Sequence, residues 1–380
     1  MLFRVRTAVV ALGVCAAIGV AGCGSGSQTG STGSGEESTT GTAQALVPKP
    51  PTTPPTTLSI TKPLSKKPEE GKTVAMVTSM LPATQYYTEQ TVLAAKVLGW
   101  TVDEFPYKEG EEAKALSSAL NTNPDYLIGT NLLKQAVKAQ LSQAREKGIP
   151  FLNLGGLPED NAPSEGYYVI NGDPTGQAQQ LADWAINDSG GKANIAFFTI
   201  PALPYVAQAG EAVAARISEK CPGCQFEEVE LSLQQLVSGK SPTTIAASLQ
   251  SHPDVTYAIV GYGDMAVGLP GALKAAGLSG KFKVMGVGAN QANIAEIAKG
   301  ELDAFAMVAN ASVGYYLIDT LARISVGDST AVDTENTGVG GAETWILDSP
   351  ELAKEYAEAP YGWEGPENYI EQWKALWHVN

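Results

Sequence analysis

The chain has 380 residues and a formal net charge of −15, with 40 acidic side chains against 25 basic ones and two histidines. Beyond Lys66-Lys67 it carries no basic run, which argues against nucleic acid as a partner, because phosphate binding rests on clustered Lys and Arg. Two histidines, one of them (His378) in the C-terminal tail, leave little for a Ser-His-Asp triad, and no GxSxG, HExxH or Asp/Asn calcium loop occurs.

The first elements concern address. Arg4 and Arg6 precede residues 7–22, which are almost wholly apolar or small. That is the layout of a signal peptide, and its charge-free core of roughly 15 residues is short of the about 20 a membrane span needs. The run ends in Val20-Ala21-Gly22-Cys23, which resembles the bacterial lipobox. In that motif small residues admit a signal peptidase and the thiol of Cys23 carries a diacylglycerol, holding the protein to the outer leaflet at roughly 0.8 kcal/mol per buried methylene. The other reading is an ordinary secretory signal with an incidental cysteine. Residues 1–22 are therefore expected to be a lipoprotein signal peptide and residues 23–72 a disordered stalk. The stalk's Gly/Ser/Thr half buries too little apolar surface to offset chain entropy, and its Pro/Thr half favours extended polyproline-like backbone.

From residue 73 apolar strands alternate with amphipathic helices. Thr73–Ser79 (TVAMVTS) is a strand, followed by helix 87–98, strand 100–105, helix 111–121, strand 126–129, helix 134–147 and strands 150–154 and 167–170. Helix 175–187, strand 193–199, helix 206–220, strand 226–231, helix 242–251, strand 257–260 and helix 264–276 continue the pattern. Strand 284–287, helix 291–299, strand 304–308 and helix 313–326 complete it. Strands spaced by helices of 10 to 15 residues imply parallel sheets covered on both faces. So many strands favour two doubly wound lobes over one sheet, and ligands of such folds lie beyond the carboxyl ends of the strands. Cys221-Pro222-Gly223-Cys224 admits three readings: a redox pair, half a zinc site or a local disulfide. Lacking a second CxxC and outside the cytoplasm, the structural disulfide between Cys221 and Cys224 is favoured. Gly239-Lys240-Ser241 resembles a P-loop ending without its first glycine. Gly261–Ala266 fits a GxGxxA fingerprint without the acidic residue after the next strand. No cofactor, metal or enzymatic activity is expected.

Asp264-Met265-Ala266-Val267-Gly268, followed by Ala272-Leu273-Lys274-Ala275-Ala276-Gly277, is similar to the type I periplasmic binding proteins of the ribose- and galactose-binding class. Gly148-Ile149-Pro150, Asn171-Gly172-Asp173-Pro174-Thr175-Gly176 and Lys299-Gly300-Glu301-Leu302 resemble the same family in order and spacing, over roughly residues 73 to 330. The resemblance implies an α/β fold of two Rossmann-like lobes joined by three crossovers, near residues 171–175, 309–312 and 326–332, closing on a ligand by hinge motion. Lobe one would hold residues 73–173 plus 312–326, lobe two 174–309 plus 331–348. Residues 349–380 form a C-terminal extension whose Trp363, Tyr369, Trp373 and Trp377 are expected to pack on a lobe. It further implies an extracytoplasmic monomer that hands a small molecule to an ABC permease and its ATPase, with the membrane reached only through the lipid. The alternative is a sensor docking on a membrane receptor kinase. A repressor would need a helix-turn-helix where the signal and stalk stand.

Sugar-binding members place Asp or Arg where this chain has Asn153-Leu154-Gly155-Gly156, Asn-Asp where it has Tyr262-Gly263-Asp264, Asp where it has Gly288-Ala289-Asn290, and Arg where helix 206–220 begins at Tyr205-Val206-Ala207. Bidentate Arg and Asp contacts are how a cleft recognises dense hydroxyls. A plain monosaccharide is therefore not expected; a flatter or more apolar solute held by tyrosines and amides is. Candidate ligand contacts follow the strand ends: Ser79, Met80, Thr84, Gln85 and Tyr86; Thr130 and Asn131; Asn153; then Tyr205, Tyr262, Asp264 and Asn290, with Asn310 at a hinge. Asp264 would otherwise cap its helix, Tyr86 would otherwise be core, and Asn310 would otherwise bond hinge backbone.

Overall fold

The computed structural model describes residues 46–380 apart from 81, 109, 158–159, 331–342, 360–361 and 380. The expected signal peptide at 1–22, the lipidated Cys23, the stalk as far as residue 45 and most of the segment 331–348 lie outside the described residues.

Lobe one is built from β1 (Thr73–Ser79), α1 (Pro82–Val97), β2 (Thr101–Tyr107), α2 (Glu112–Asn121), β3 (Tyr126–Thr130), α3 (Lys138–Glu146), β4 (Phe151–Leu154) and β5 (Tyr167–Ile170). Its sheet is parallel throughout, in the order β2-β1-β3-β4-β5. The near-continuous burial of β1 follows from covering both faces. Val74 and Met76 pack with Ile128 and Leu152 on one side, while Ala75 and Val77 pack with Leu127 and Phe151 on the other.

Lobe two contains α4 (Pro174–Asp188), β6 (Asn194–Thr199), α5 (Pro204–Lys220), β7 (Gln225–Glu230), α6 (Leu233–Val237), α7 (Ser241–Ser251), β8 (Tyr257–Val260), α8 (Leu269–Ala275), β9 (Lys283–Gly286), α9 (Gln291–Ala298) and β10 (Ala304–Val308). The chain then runs through α10 (Ser312–Val326), β11 (Thr344–Leu347), α11 (Pro350–Tyr356) and α12 (Tyr369–Leu376). The second sheet has the order β11-β10-β9-β8-β6-β7, parallel except for β11. Helix α10 belongs to lobe one, where Gly314 lies against the Gln90–Thr91 backbone so closely that an added Cβ would stand 2.4 Å from the Thr91 nitrogen. The segment expected as one helix over 264–276 is divided: a single 3-10 turn, Gly263–Ala266, precedes α8, and Gly268 between them takes φ +82°, a conformation glycine adopts without steric cost. Cys221 and Cys224 are joined in a disulfide that closes the turn after α5.

The chain passes between the lobes at residues 171–173 and 309–312 and between Gly327 and β11. Two further passes were not expected. In the first, residues 46–72, read from composition as stalk, pack across both lobes as an ordered strap. Val47 is buried beneath α4, Pro51 accepts the Ile346 N–H at 2.8 Å, and Leu58 and Leu64 sit in the lobe-one core. The second is the C-terminal extension. Trp363 packs in the lobe-two core, whereas Trp373 and Trp377 are buried in lobe one. Between them, the Glu364 carbonyl accepts the N–H groups of Ala311 and Ser312 at the hinge. Among the described residues no helix is long and apolar enough to cross a membrane.

Candidate functional site: the interlobe cleft

In a doubly wound sheet the carboxyl ends of strands and the amino ends of the following helices share one edge, and the predicted contacts gather there on both lobes. On lobe one, Ser79 ends β1. Its N–H donates to Thr130 Oγ1 at 2.9 Å and its Oγ donates to Thr84 Oγ1 at 3.0 Å. Gln85 Nε2 donates to the Ser79 carbonyl at 2.8 Å, and Asn131 Nδ2 reaches Ser79 Oγ and Thr84 Oγ1 at 3.5 Å each. The network ties β1, β3 and the first turn of α1 together and leaves Asn131 exposed at its rim, with φ +55°. Met80 is exposed beside it.

Two lobe-one candidates are corrected. Asn153 is fully buried and turned away from the cleft: its Oδ1 accepts the Leu132 N–H at 3.4 Å, while Nδ2 donates to the Leu132 carbonyl at 2.9 Å and to the Tyr167 hydroxyl at 3.1 Å. Tyr86 is buried as well, and the ring that faces the cleft is Tyr87, which the sequence reading passed over. Tyr87 donates from its hydroxyl to Asn310 Oδ1 at 3.3 Å, so a lobe-one helix reaches the hinge directly. The signal for it was available: of two adjacent aromatics in a helix turn, one faces the core and the other does not.

On lobe two, Tyr205 opens α5 and Tyr262 follows β8. Their rings meet edge to face, with centroids 5.7 Å apart and planes at 83°. Asp264 does not cap a helix; its Oδ1 accepts from Asn290 Nδ2 at 2.6 Å. Asn290 in turn caps α9, its Oδ1 accepting the Asn293 N–H at 3.0 Å. Burial, then the charge of Asp264 and the nearby Tyr87 phenol, push the Tyr205 hydroxyl well above its usual range. Burial, then Tyr205, Asp264 and Tyr87, do the same to Tyr262. Tyr87 of one lobe therefore stands within electrostatic reach of Tyr205 and Tyr262 of the other.

Arginine is absent from this edge. After residue 45 the chain has three arginines, and each sits toward the carboxyl end of a helix, the opposite edge from the cleft, in an ion pair. Arg145 meets Glu165 at 3.5 Å, Arg216 meets Asp183 at 2.7 Å and Arg323 meets Asp319 at 2.7 Å. A separate cavity of about 210 Å³, walled by Leu141, Ile149, Phe151 and Tyr167, opens toward the amino ends of β4 and β5, away from the cleft. Among the described residues no three His, Cys, Asp or Glu side chains are grouped to hold a metal ion.

A family model described as a periplasmic binding protein domain matches residues 84–329. No curated protein sequence matches the chain. Solved structures share its fold at low identity. A periplasmic ribose ABC transporter protein from Conexibacter woesei is 18% identical, with a TM-score of 0.63 over 78% of this chain and 97% of that one. A 5-methylthioribose transporter solute-binding protein from Thermotoga lettingae, in complex with 5-methylthioribose, is 16% identical, with a TM-score of 0.62 over 84% and 100%. A carbohydrate transporter from Acidothermus cellulolyticus, in complex with myo-inositol, is 20% identical, with a TM-score of 0.57 over 76% and 98%.

Proposed function

The chain belongs to the periplasmic binding protein family, and from that premise we propose that it captures a small-molecule solute between its lobes outside the cytoplasm and delivers it to an ABC permease. The observation that carries the reading is the Tyr205–Tyr262 ring pair of lobe two facing the edge where Tyr87 of lobe one bonds Asn310, at the carboxyl ends of both sheets, where a doubly wound fold places its ligand. Tyr87 also bonds Asn310 where the chain crosses between lobes, so closure on a solute is coupled to the hinge. The lipobox at Cys23 supports anchoring by N-terminal acylation, with the permease and its ATPase in the membrane beneath. The structural neighbours named for ribose, 5-methylthioribose and myo-inositol support small-molecule capture for import.

The solute is not a plain monosaccharide on this reading. Dense hydroxyls are recognised by bidentate charged groups, and hydrogen-bonding groups left unpaired in a closed cleft cost about 1–3 kcal/mol each. With each of the three arginines paired at the far edge, the cleft offers aromatic faces and amides instead. A thermal-shift screen of the chain from Cys23 onward, against pentoses, hexoses, polyols, nucleosides and aromatic acids, tests both levels. Stabilisation by any solute that is lost in Tyr87→Ala supports capture in the cleft. A shift with ribose or galactose at micromolar concentration overturns the exclusion of monosaccharides while leaving capture standing. A solute shift unaffected by Tyr87→Ala and Tyr205→Ala removes the cleft as the binding place.

A further inference from the structure

We infer that the solute carries a weakly hydrated cationic nitrogen, a quaternary or alkylated ammonium head, seated against Tyr205, Tyr262 and Tyr87 with Asp264 as its counter-charge. This rests on the solute-capture reading and adds the chemistry of the ligand. Rings at 83° and 5.7 Å stand edge to face, so a group seated in the angle between them lies against the free face of one ring and beside the partly covered face of the other. Aromatic faces carry the negative part of the ring quadrupole, and a cation within about 6 Å of a centroid is attracted to it, more strongly once water is expelled. Tyr87 stands on the opposite lobe, its hydroxyl bonded to Asn310 at the hinge, so closure is what would bring a third ring toward the pair.

Charge points the same way. Asp264 is exposed at the foot of the corner, and Asn290 holds its Oδ1 at 2.6 Å, which fixes the carboxylate without neutralising it. No Lys or Arg occurs in residues 200–203, 261–268, 287–290 or 309–311, which follow β6, β8, β9 and β10, and the connection after β7 carries one, Lys240, at the start of α7. A carboxylate in a cleft edge poor in basic side chains raises the local concentration of cations and repels anions. A neutral solute would leave that charge, on closure, with only the neutral Asn290 amide and Tyr262 hydroxyl to offset its lost water. A hydrated inorganic cation has no use for three aromatic faces. An alkylated ammonium satisfies both features.

The experiment titrates the chain from Cys23 onward with choline, glycine betaine and tetramethylammonium, and in parallel with 3,3-dimethylbutan-1-ol, the neutral isostere of choline, following the melting temperature and binding heat. The expected result is a shift with at least one ammonium probe and none with the isostere. Asp264→Asn and Tyr205→Leu weaken the bound probe by about tenfold, while Tyr205→Phe, which keeps the ring face, stays within a few-fold of the parent. Melting each variant without probe separates a lost site from a lost fold. Equal shifts with choline and its isostere overturn the inference, as does affinity unchanged in Asp264→Asn. So does the absence of any shift with all three ammonium probes. If ribose or adenosine then stabilises the chain in a Tyr87-dependent way, solute capture stands and only the cationic assignment falls.

Discussion

The indole N–H of Trp377 donates to Asp319 Oδ1 at 2.9 Å, while Oδ2 of the same carboxylate accepts from Arg323 Nε at 2.7 Å. Arg323 Nη2 also donates to the Lys62 carbonyl at 2.9 Å. One buried carboxylate thus joins the hinge helix α10, the C-terminal tail and the strap, three segments far apart in sequence. Asp319→Ala strands the Arg323 guanidinium among apolar neighbours, and breaking a buried pair from one side costs about 3–5 kcal/mol. Trp377→Phe removes only the donor to a charged acceptor, about 1.5–3 kcal/mol, plus some packing. Denaturant unfolding of both single variants and the double variant measures this. The double variant should lose less than the sum, because the bond from Trp377 is already gone once Asp319 is removed.

The strap has its own test. Leu64 is buried in the lobe-one core, and its N–H donates to the Leu376 carbonyl at 2.9 Å, so the strap and the tail bind each other as well as the lobe. Leu64→Ala is expected to cost about 2–5 kcal/mol. A chain beginning at residue 73 should melt well below one beginning at Cys23, since it uncovers the sites of Val47, Leu58 and Leu64 together. Equal melting of the two chains would show that residues 46–72 contribute nothing to the fold.

Adjacent tyrosines should separate stability from binding. Tyr86 is buried in α1, and Tyr86→Ala is expected to destabilise by about 3–5 kcal/mol. Tyr87 faces the cleft, so Tyr87→Ala should cost far less stability and weaken a bound solute by about tenfold. Calorimetric melting and solute titration of each variant read the two effects. The reverse assignment would mean that α1 is rotated by one residue, 100° about its axis.

That rotation is also where the sequence stopped being legible. The alternation of apolar strands with helices, the two lobes and the crossings near 171–173 and 309–312 could be read because parallel sheets covered on both faces leave runs such as TVAMVTS. Which tyrosine of α1 faces the cleft depends on how α1 seats on α10, a contact made close by Gly314, more than two hundred residues away. Asn153 failed for a related reason: at a strand end, side chains alternate between faces, and this one points at Leu132 and Tyr167. The strap was hidden by composition. Three buried apolar side chains, Val47, Leu58 and Leu64, are spaced too widely among Pro and Thr to show any period.

The strap also sets up a pH dependence. Glu343 is buried beside it, and its Oε1 accepts both the Ser59 N–H at 2.6 Å and the Tyr316 hydroxyl at 2.8 Å. Burial raises its carboxyl above the ordinary carboxylate range, with the bonds from Ser59 and Tyr316 offsetting only part of the rise. A folded-state pKa above the unfolded one means that the folded state holds the proton more tightly. The stability from this group is fully present below the unfolded value of roughly 4.3 and is lost as pH rises through the raised folded value. Glu343→Gln keeps an acceptor oxygen for Ser59 and Tyr316 but carries no charge at any pH. The difference in melting temperature between Glu343→Gln and the parent should therefore be smallest near pH 4, move in favour of the variant as pH rises, and level off once Glu343 is ionised. A difference that instead favours the parent increasingly toward neutral pH would mean that the charge on Glu343 is satisfied in the fold, and that its bonds to the strap outweigh the cost of burial.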